Sequence, residues 1–260
     1  MICRPRVAAG LLLFSLIAET TLANDWELRS ESVYSTGKFG GNIRTEVLFL
    51  PLEIRRRFEW GEVGLTVPYL WYNLSGSFTF AEGTVDPQLQ TIPISGSAEG
   101  LSDILIDAQY YILRQSGLRP EVILRGYWKP PTGDESRGLG TGTHDWILGV
   151  EFWSWIPESE RWFYFGDVYR YFAGDSDSRD IDDTWIYDFG IGGIVFDNYV
   201  AKVAFKAQTS LSSGLPSAEW IDFESEYKVC EEFTILSGFT VGLSDAAPDW
   251  SIMLGFEQRF

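Results

Sequence analysis

The sequence predicts an all-β fold: a transmembrane up-and-down antiparallel β-barrel of about twelve strands with periplasmic termini. Three observations predict it. The final stretch alternates, with Trp250, Ile252, Leu254, Phe256, Gln258 and Phe260 in one set and Ser251, Met253, Gly255, Glu257 and Arg259 in the other. A period of two is a strand with one oily and one wet face, and rings at both ends of the oily face suit a membrane crossing. Similar alternation recurs along the chain, and the connections between the alternating stretches are short and long by turns. An edge strand of a soluble sandwich also alternates. A sandwich, however, has no reason to sort its loops by parity.

The ends and the composition fit export. Arg4 and Arg6 precede an apolar run from Val7 to Ala18, and Thr21-Leu22-Ala23 offers a cleavage site before Asn24. This reads as a signal peptide over residues 1–23, with the barrel over 24–260. Cys3 lies too near the start to be a lipoprotein cysteine, and Cys230 then has no partner for a disulfide. Removing the two arginines and one glutamate of the first 23 residues leaves 18 basic against 36 acidic side chains, a net of −18. That argues against nucleic acid as a partner, which needs a basic footprint. No later run of 18 apolar residues exists to cross as a helix. The 18 Phe, 12 Tyr and 11 Trp suit interfacial girdles. A chain stopping on Phe after such a strand resembles outer-membrane barrels of Gram-negative bacteria.

Each strand is read from its two faces. The first runs from Trp26 to Tyr34. The second, Arg44 to Phe58, sets Leu48, Leu50, Leu52 and Ile54 against Glu53, Arg55 and Arg57. The third, Glu62 to Tyr72, has Val63, Leu65, Val67, Tyr69 and Trp71 on its oily side; Pro68 weakens it by removing a ladder donor. The fourth, Ser102 to Leu113, opposes Ile104, Ile106, Ala108, Tyr110 and Ile112 to Asp103, Asp107 and Gln109. The fifth, Glu121 to Lys129, opposes Val122, Leu124 and Trp128 to Glu121, Arg125 and Lys129; the sixth, Asp145 to Trp155, opposes Trp146, Leu148, Val150 and Phe152 to Gly149 and Glu151. The seventh, Arg161 to Phe172, is aromatic on both faces, with Asp167 assigned inward. In the eighth to eleventh, Phe189, Phe205, Phe223 and Phe239 mark the oily sides, with Asp188, Lys202, Lys206, Glu224 and Glu226 opposite them.

Short links fall at 59–61, 114–119, 157–160, 196–198 and 230–231; the others are longer or more polar. Short turns belong on the periplasmic side and long loops outside.

Three motifs carry a family resemblance: Val67-Pro68-Tyr69-Leu70, Gly100-Leu101-Ser102-Asp103, and Lys129-Pro130-Pro131-Thr132-Gly133-Asp134 followed by Gly138-Leu139-Gly140-Thr141-Gly142 and Asp145. Together they resemble the outer-membrane family named for the meta-pathway of phenol degradation, whose members are often labelled transporters. The glycine usual in the second motif is Ser102 here. The resemblance implies passage of a small aromatic or otherwise hydrophobic solute.

No motif indicates a catalytic centre, a metal or a cofactor. His144, the lone histidine, has Ser136 and Asp145 as sequence neighbours but no nucleophile motif. Asp175, Asp177, Asp180, Asp182 and Asp183 crowd one outer loop without a calcium-loop spacing, and weak divalent bridging to lipopolysaccharide phosphates is the most they would do. The inward charges are the informative set, with Arg57, Asp107, Arg125, Glu151, Asp188 and Lys206 expected to line the lumen against the solute. Two arrangements satisfy them: pairing across the lumen as a plug, or a narrow wet passage with residues 73–101 as its constriction. Glycines at 149, 190, 192, 238 and 255 favour free volume at the wall. A passive channel, a non-transporting structural barrel whose lumen salt bridges fill, and a lipid-modifying enzyme are the three functions in play. Lipid, lipopolysaccharide and a small solute are the expected partners.

Overall fold

The computed structural model describes residues 25–40, 44–74, 78–83, 87–92, 96–117, 119–159, 161–175, 182–210 and 216–260, with side chains left undescribed over 74–95. The expected signal segment lies outside the described residues. The strands are β1 Trp26–Gly37, β2 Thr45–Arg57, β3 Gly61–Leu74, β4 Phe78–Gly83, β5 Pro87–Ile92, β6 Gly96–Leu101, β7 Leu105–Leu113, β8 Glu121–Lys129, β9 Asp145–Trp155, β10 Trp162–Phe172, β11 Thr184–Phe196, β12 Tyr199–Gln208, β13 Ala218–Lys228, β14 Phe233–Gly242 and β15 Trp250–Arg259. β4 and β5 form a separate hairpin. The other strands make one antiparallel sheet that closes on itself through the β1–β15 and β2–β3 pairs. β6 and β7 pair in succession with the outer and inner halves of β3, so they count once around the wall. The barrel is therefore twelve strands round, as the sequence predicts. Closure removes the edges of the wall, as a membrane demands of a sheet; among the described strands β6 is paired on one side, with β3.

Two prolines explain the one irregular sector. Pro51 on β2 and Pro68 on β3 are direct partners, and the β2–β3 ladder runs unbroken past them. The expected weakening of β3 does not occur within that pair. It occurs on the far side of each proline, where an N–H would have served the next strand. The β1–β2 pairing lapses between Arg29–Glu53 and Val33–Phe49, and Ser30 Oγ instead donates to Pro51 O at 2.6 Å. The wall next to Pro68 breaks at Ser102-Asp103-Ile104, with Ser102 N donating to Pro68 O at 2.9 Å. The expected fourth strand thus starts at Leu105, three residues late. The broken segment turns Asp103 inward, where it is buried.

The oily faces look out. Leu52, Leu65, Tyr110, Leu124, Leu148, Phe189, Phe223, Ile235 and Leu254 are all exposed on the outer surface. Rings gather where the two interfaces fall: Trp128 and Trp146 stack at 6.0 Å near the outer ends of β8 and β9, and Phe58 and Trp60 at 5.2 Å at an inner turn. Trp128 Nε1 donates to His144 Nδ1 at 3.3 Å, which places the histidine in the outer girdle. Phe189 sits mid-strand and is 57% exposed. Phe189→Arg is expected to cost about 2–4 kcal/mol, the cost of a cation near the bilayer midplane, read as a lowered urea midpoint for vesicle-embedded protein.

The inward face is not uniformly polar, which alternation alone does not predict. Beside its ion pairs it carries three apolar clusters: Phe39, Val47, Phe49, Leu70, Tyr72, Ala98 and Leu139; Leu105, Tyr127, Ile147, Tyr169 and Tyr171; and Val33, Leu236 and Met253.

Candidate functional site in the lumen

In the sector from β1 to β9 the charges pair with one another. Arg57 meets Glu27 at 2.5 Å and Glu62 at 3.0 Å. Arg55 meets Glu53, then Glu62 at 3.4 Å and Asp107 at 3.5 Å. Arg125 meets Asp107 at 3.0 Å and Glu151 at 3.3 Å, with its guanidinium 4.7 Å from the Tyr127 ring centre. Tyr111 donates to Glu62 at 2.8 Å, and Tyr169 donates to Glu151. The result is a continuous run of alternating sign from Glu27 to Glu151. In this sector the charges pair from strand to strand along the wall: Arg125 is 1% exposed, and opposite charges satisfy what water cannot reach.

The sector from β9 to β13 is open. A cavity of about 420 Å³ lies against it. One side is a panel of rings, Trp153, Trp155, Phe163 and Phe165, with Trp155 and Phe163 edge to face at 5.7 Å. The other side carries Asp188, Lys202, Lys206, Glu224 and Glu226. The panel stays thin because glycines lie beneath it. A Cβ on Gly192 would stand 2.3 Å from Phe163 Cζ, and one on Gly190 2.4 Å from Phe165 Cζ. The expected free volume at these glycines is therefore taken by flattened rings, and the space gained lies in front of them. Gly192→Ala is expected to lift Phe163 into the cavity and reduce conductance several-fold. Gly192→Ala with Phe163→Ala should restore it; no recovery in the double variant would refute this account of the panel.

Four charged residues form one row across four strands. Glu151 pairs with Asp167, Asp167 with Asp188, and Asp188 with Lys206. Lys206 Nζ reaches Asp222 at 2.9 Å and Asp188 and Glu224 at 3.4 Å. Lys202 Nζ reaches Glu226 at 2.7 Å and Glu224 at 3.3 Å. Among the described residues the Asp167 side chain makes no hydrogen bond and no ion pair.

The loop 130–144 folds into the outer mouth and is held there by side chains of the wall. Asp103 Oδ1 accepts from Thr132 N at 2.9 Å and Gly133 N at 2.8 Å, and its Oδ2 accepts from Thr141 N at 2.8 Å. Lys129 Nζ lies 3.7 Å from Asp103 and 2.8 Å from Asp145. Asp145 accepts from Thr141 Oγ1 at 2.7 Å and Gly174 N at 2.9 Å. The loop inserts Leu139 into the first apolar cluster, and Tyr72 donates to Arg137 O. At the loop tip the Ser136 hydroxyl, with backbone N–H groups behind it, holds the exposed Asp134 carboxyl below its ordinary range. The motif residues quoted above thus meet in one latch, a role their separate spacings do not reveal.

The six expected lumen residues divide between these places. Glu151, Asp188 and Lys206 line the cavity. Arg125, Asp107 and Arg57 do not: they belong to the paired network. The loop that enters the mouth among the described residues is 130–144; of the expected constriction 73–101, Ala98 joins the cluster it seals. Ser136 donates to Asp134, and Asp145 turns inward to Lys129, so neither joins His144. Asp177 and Asp180 of the acidic loop lie outside the described residues; Asp183 pairs with Arg170 at 3.2 Å. The ring panel and Asp167 were the least legible part, since β10 is aromatic on both faces.

Solved structures share this fold, among them the following two. An outer-membrane channel from Pseudomonas putida F1 matches with a TM-score of 0.70 at 12% identity, over 93% of this chain and 97% of that one. The β-domain of the Bordetella autotransporter BrkA matches with a TM-score of 0.53 at 12% identity, over 91% of this chain and 99% of that one. Proteins of different duties share the barrel, so the likeness shows the fold alone. No curated protein matches the chain in sequence. The model of the family described as the MetA-pathway of phenol degradation matches residues 51–259, spanning β2 to β15 with the latch and the cavity, and the chain belongs to that family.

Proposed function

We propose that the protein is a passive outer-membrane channel for a small aromatic or otherwise hydrophobic solute, with the cavity as the station on its path. The carrying observation is that cavity: about 420 Å³ of space inside a closed barrel whose exterior suits lipid, walled by rings on one side and charges on the other. It falls within the usual range for small-molecule sites, about 300–1,000 Å³. Membership of the phenol-degradation family and the likeness to a channel support the reading. Glu151, Asp188 and Lys206 are the residues a solute would meet. Lipid and lipopolysaccharide are the proposed surroundings of the barrel. No energy-coupling motif stands in the sequence, so movement follows the gradient.

One observation favours the structural reading, namely the paired network and the seated loop on the β1–β9 side. Reconstitution separates the two. Purified protein in planar bilayers is expected to conduct, and its liposomes to swell in a pentose. A silent barrel that excludes the pentose would overturn the channel reading in favour of the structural one.

A further inference from the structure

We propose that the cavity selects solutes that join an aromatic body to a positive charge. This rests on the channel reading and names the substrate class of the same site. Five carboxylates and two lysines line the cavity: Glu151, Asp167, Asp188, Glu224 and Glu226 against Lys202 and Lys206. Lys206 is already divided among Asp188, Asp222 and Glu224, and Lys202 between Glu224 and Glu226. Glu151 is satisfied by Arg125 and Tyr169. The shortfall gathers at Asp167, whose cross-strand partners are both carboxylates, and at Asp188 Oδ1, which is buried without a hydrogen-bond partner.

Like charges directly opposite each other destabilise a sheet. Such a breach of a local rule marks a place where something other than stability is served. A cation seated at Asp167 removes the repulsion. Among the described residues no group of His, Cys, Asp and Glu converges to hold a metal ion. An organic cation is then the fitting guest, because the ring panel begins beside Asp167: Phe165 and Phe163 follow on the same face of β10. Ring faces attract cations as well as apolar bodies. A neutral aromatic would use the panel and leave the carboxylates unmet. An aromatic anion would be repelled.

The test uses permanently charged probes of similar size, phenyltrimethylammonium and benzenesulfonate, in planar bilayers holding the full barrel. Reversal potentials are expected to show phenyltrimethylammonium preferred by on the order of tenfold, the scale on which a charged cleft enriches an ion. Asp167→Asn, which relieves repulsion and so should fold at least as well, is expected to cut that preference several-fold. Phe165→Leu is expected to abolish the preference for phenyltrimethylammonium over tetramethylammonium. Equal passage of the two charged aromatics, in a barrel whose liposomes still swell in arabinose, would overturn the proposal and leave the channel standing. No conductance and no arabinose swelling would overturn both.

Discussion

Arg125→Met is expected to lower the stability of the folded barrel by about 3–5 kcal/mol, the cost of removing one partner from a buried ion pair. The guanidinium is 1% exposed and is the charge that joins Asp107 to Glu151. Without it, among the described residues Asp107 keeps Arg55 at 3.5 Å and Glu151 keeps the Tyr169 hydroxyl. Methionine fills much of the volume but offers neither charge nor donors, so two carboxylates stand uncompensated. Distance alone would mislead here. Arg44 and Asp249 lie closer, at 2.5 Å, yet their side chains are 59% and 43% exposed. That surface pair is worth at most about 1 kcal/mol, so Arg44→Met should be nearly neutral. Urea titration of vesicle-embedded protein, followed by tryptophan fluorescence, reads both. Arg125→Met combined with Asp107→Asn and Glu151→Gln should recover most of the loss, because the uncompensated charges are gone. A loss below about 1 kcal/mol in the single variant would mean that water reaches this sector and that the network is not a dry plug.

The legible and illegible parts of this chain separate along one physical line. Alternation reports a face only when the two faces differ. Leu48, Leu50 and Leu52 read as outward because Glu53, Arg55 and Arg57 stand opposite, and outward is where they lie. The run Val47-Leu48-Phe49-Leu50 is apolar at every position, so the burial of Val47 and Phe49 inside the mouth left no periodic trace. Tyr169 and Tyr171 on β10 were hidden for the same reason. Loop parity depends on chain connectivity and was readable throughout. The wall break at Ser102–Ile104 depends on Pro68, more than thirty residues earlier on a neighbouring strand, and on Pro51 beyond it. The inward charges were assigned to the lumen from sequence, yet their division into a paired sector and an open one rests on register. Arg125 and Lys206 look alike as isolated inward cations. Only pairing shows that Arg125 is sealed beneath Glu151 while Lys206 stands at the cavity wall.

Asp103→Ala should unseat the loop 130–144 and open the outer mouth. Asp103, itself buried, accepts three backbone N–H groups and faces the buried Lys129. Each hydrogen bond to a charged group contributes about 1.5–3 kcal/mol. What remains after the substitution is chiefly Leu139 in its cluster, worth about 1.5–3 kcal/mol, together with the Asp145 contacts and the Tyr72 bond to Arg137 O. Those cannot hold a fifteen-residue loop whose hub is lost. The wild-type loop keeps Arg137 in a short helical turn, its N–H bonded back to Asp134, a poor shape for a protease that needs an extended strand. Trypsin added from the outer side is therefore expected to cut at Arg137 in Asp103→Ala and to spare the wild type, while conductance rises several-fold. Leu139→Asp reaches the same opening from the apolar end with Asp103 intact, which separates loop release from a failure to fold. If both variants insert, resist trypsin and conduct as the wild type does, the latch is not what closes this mouth, and the closure must reside in the apolar wall of β2, β3 and β6 itself.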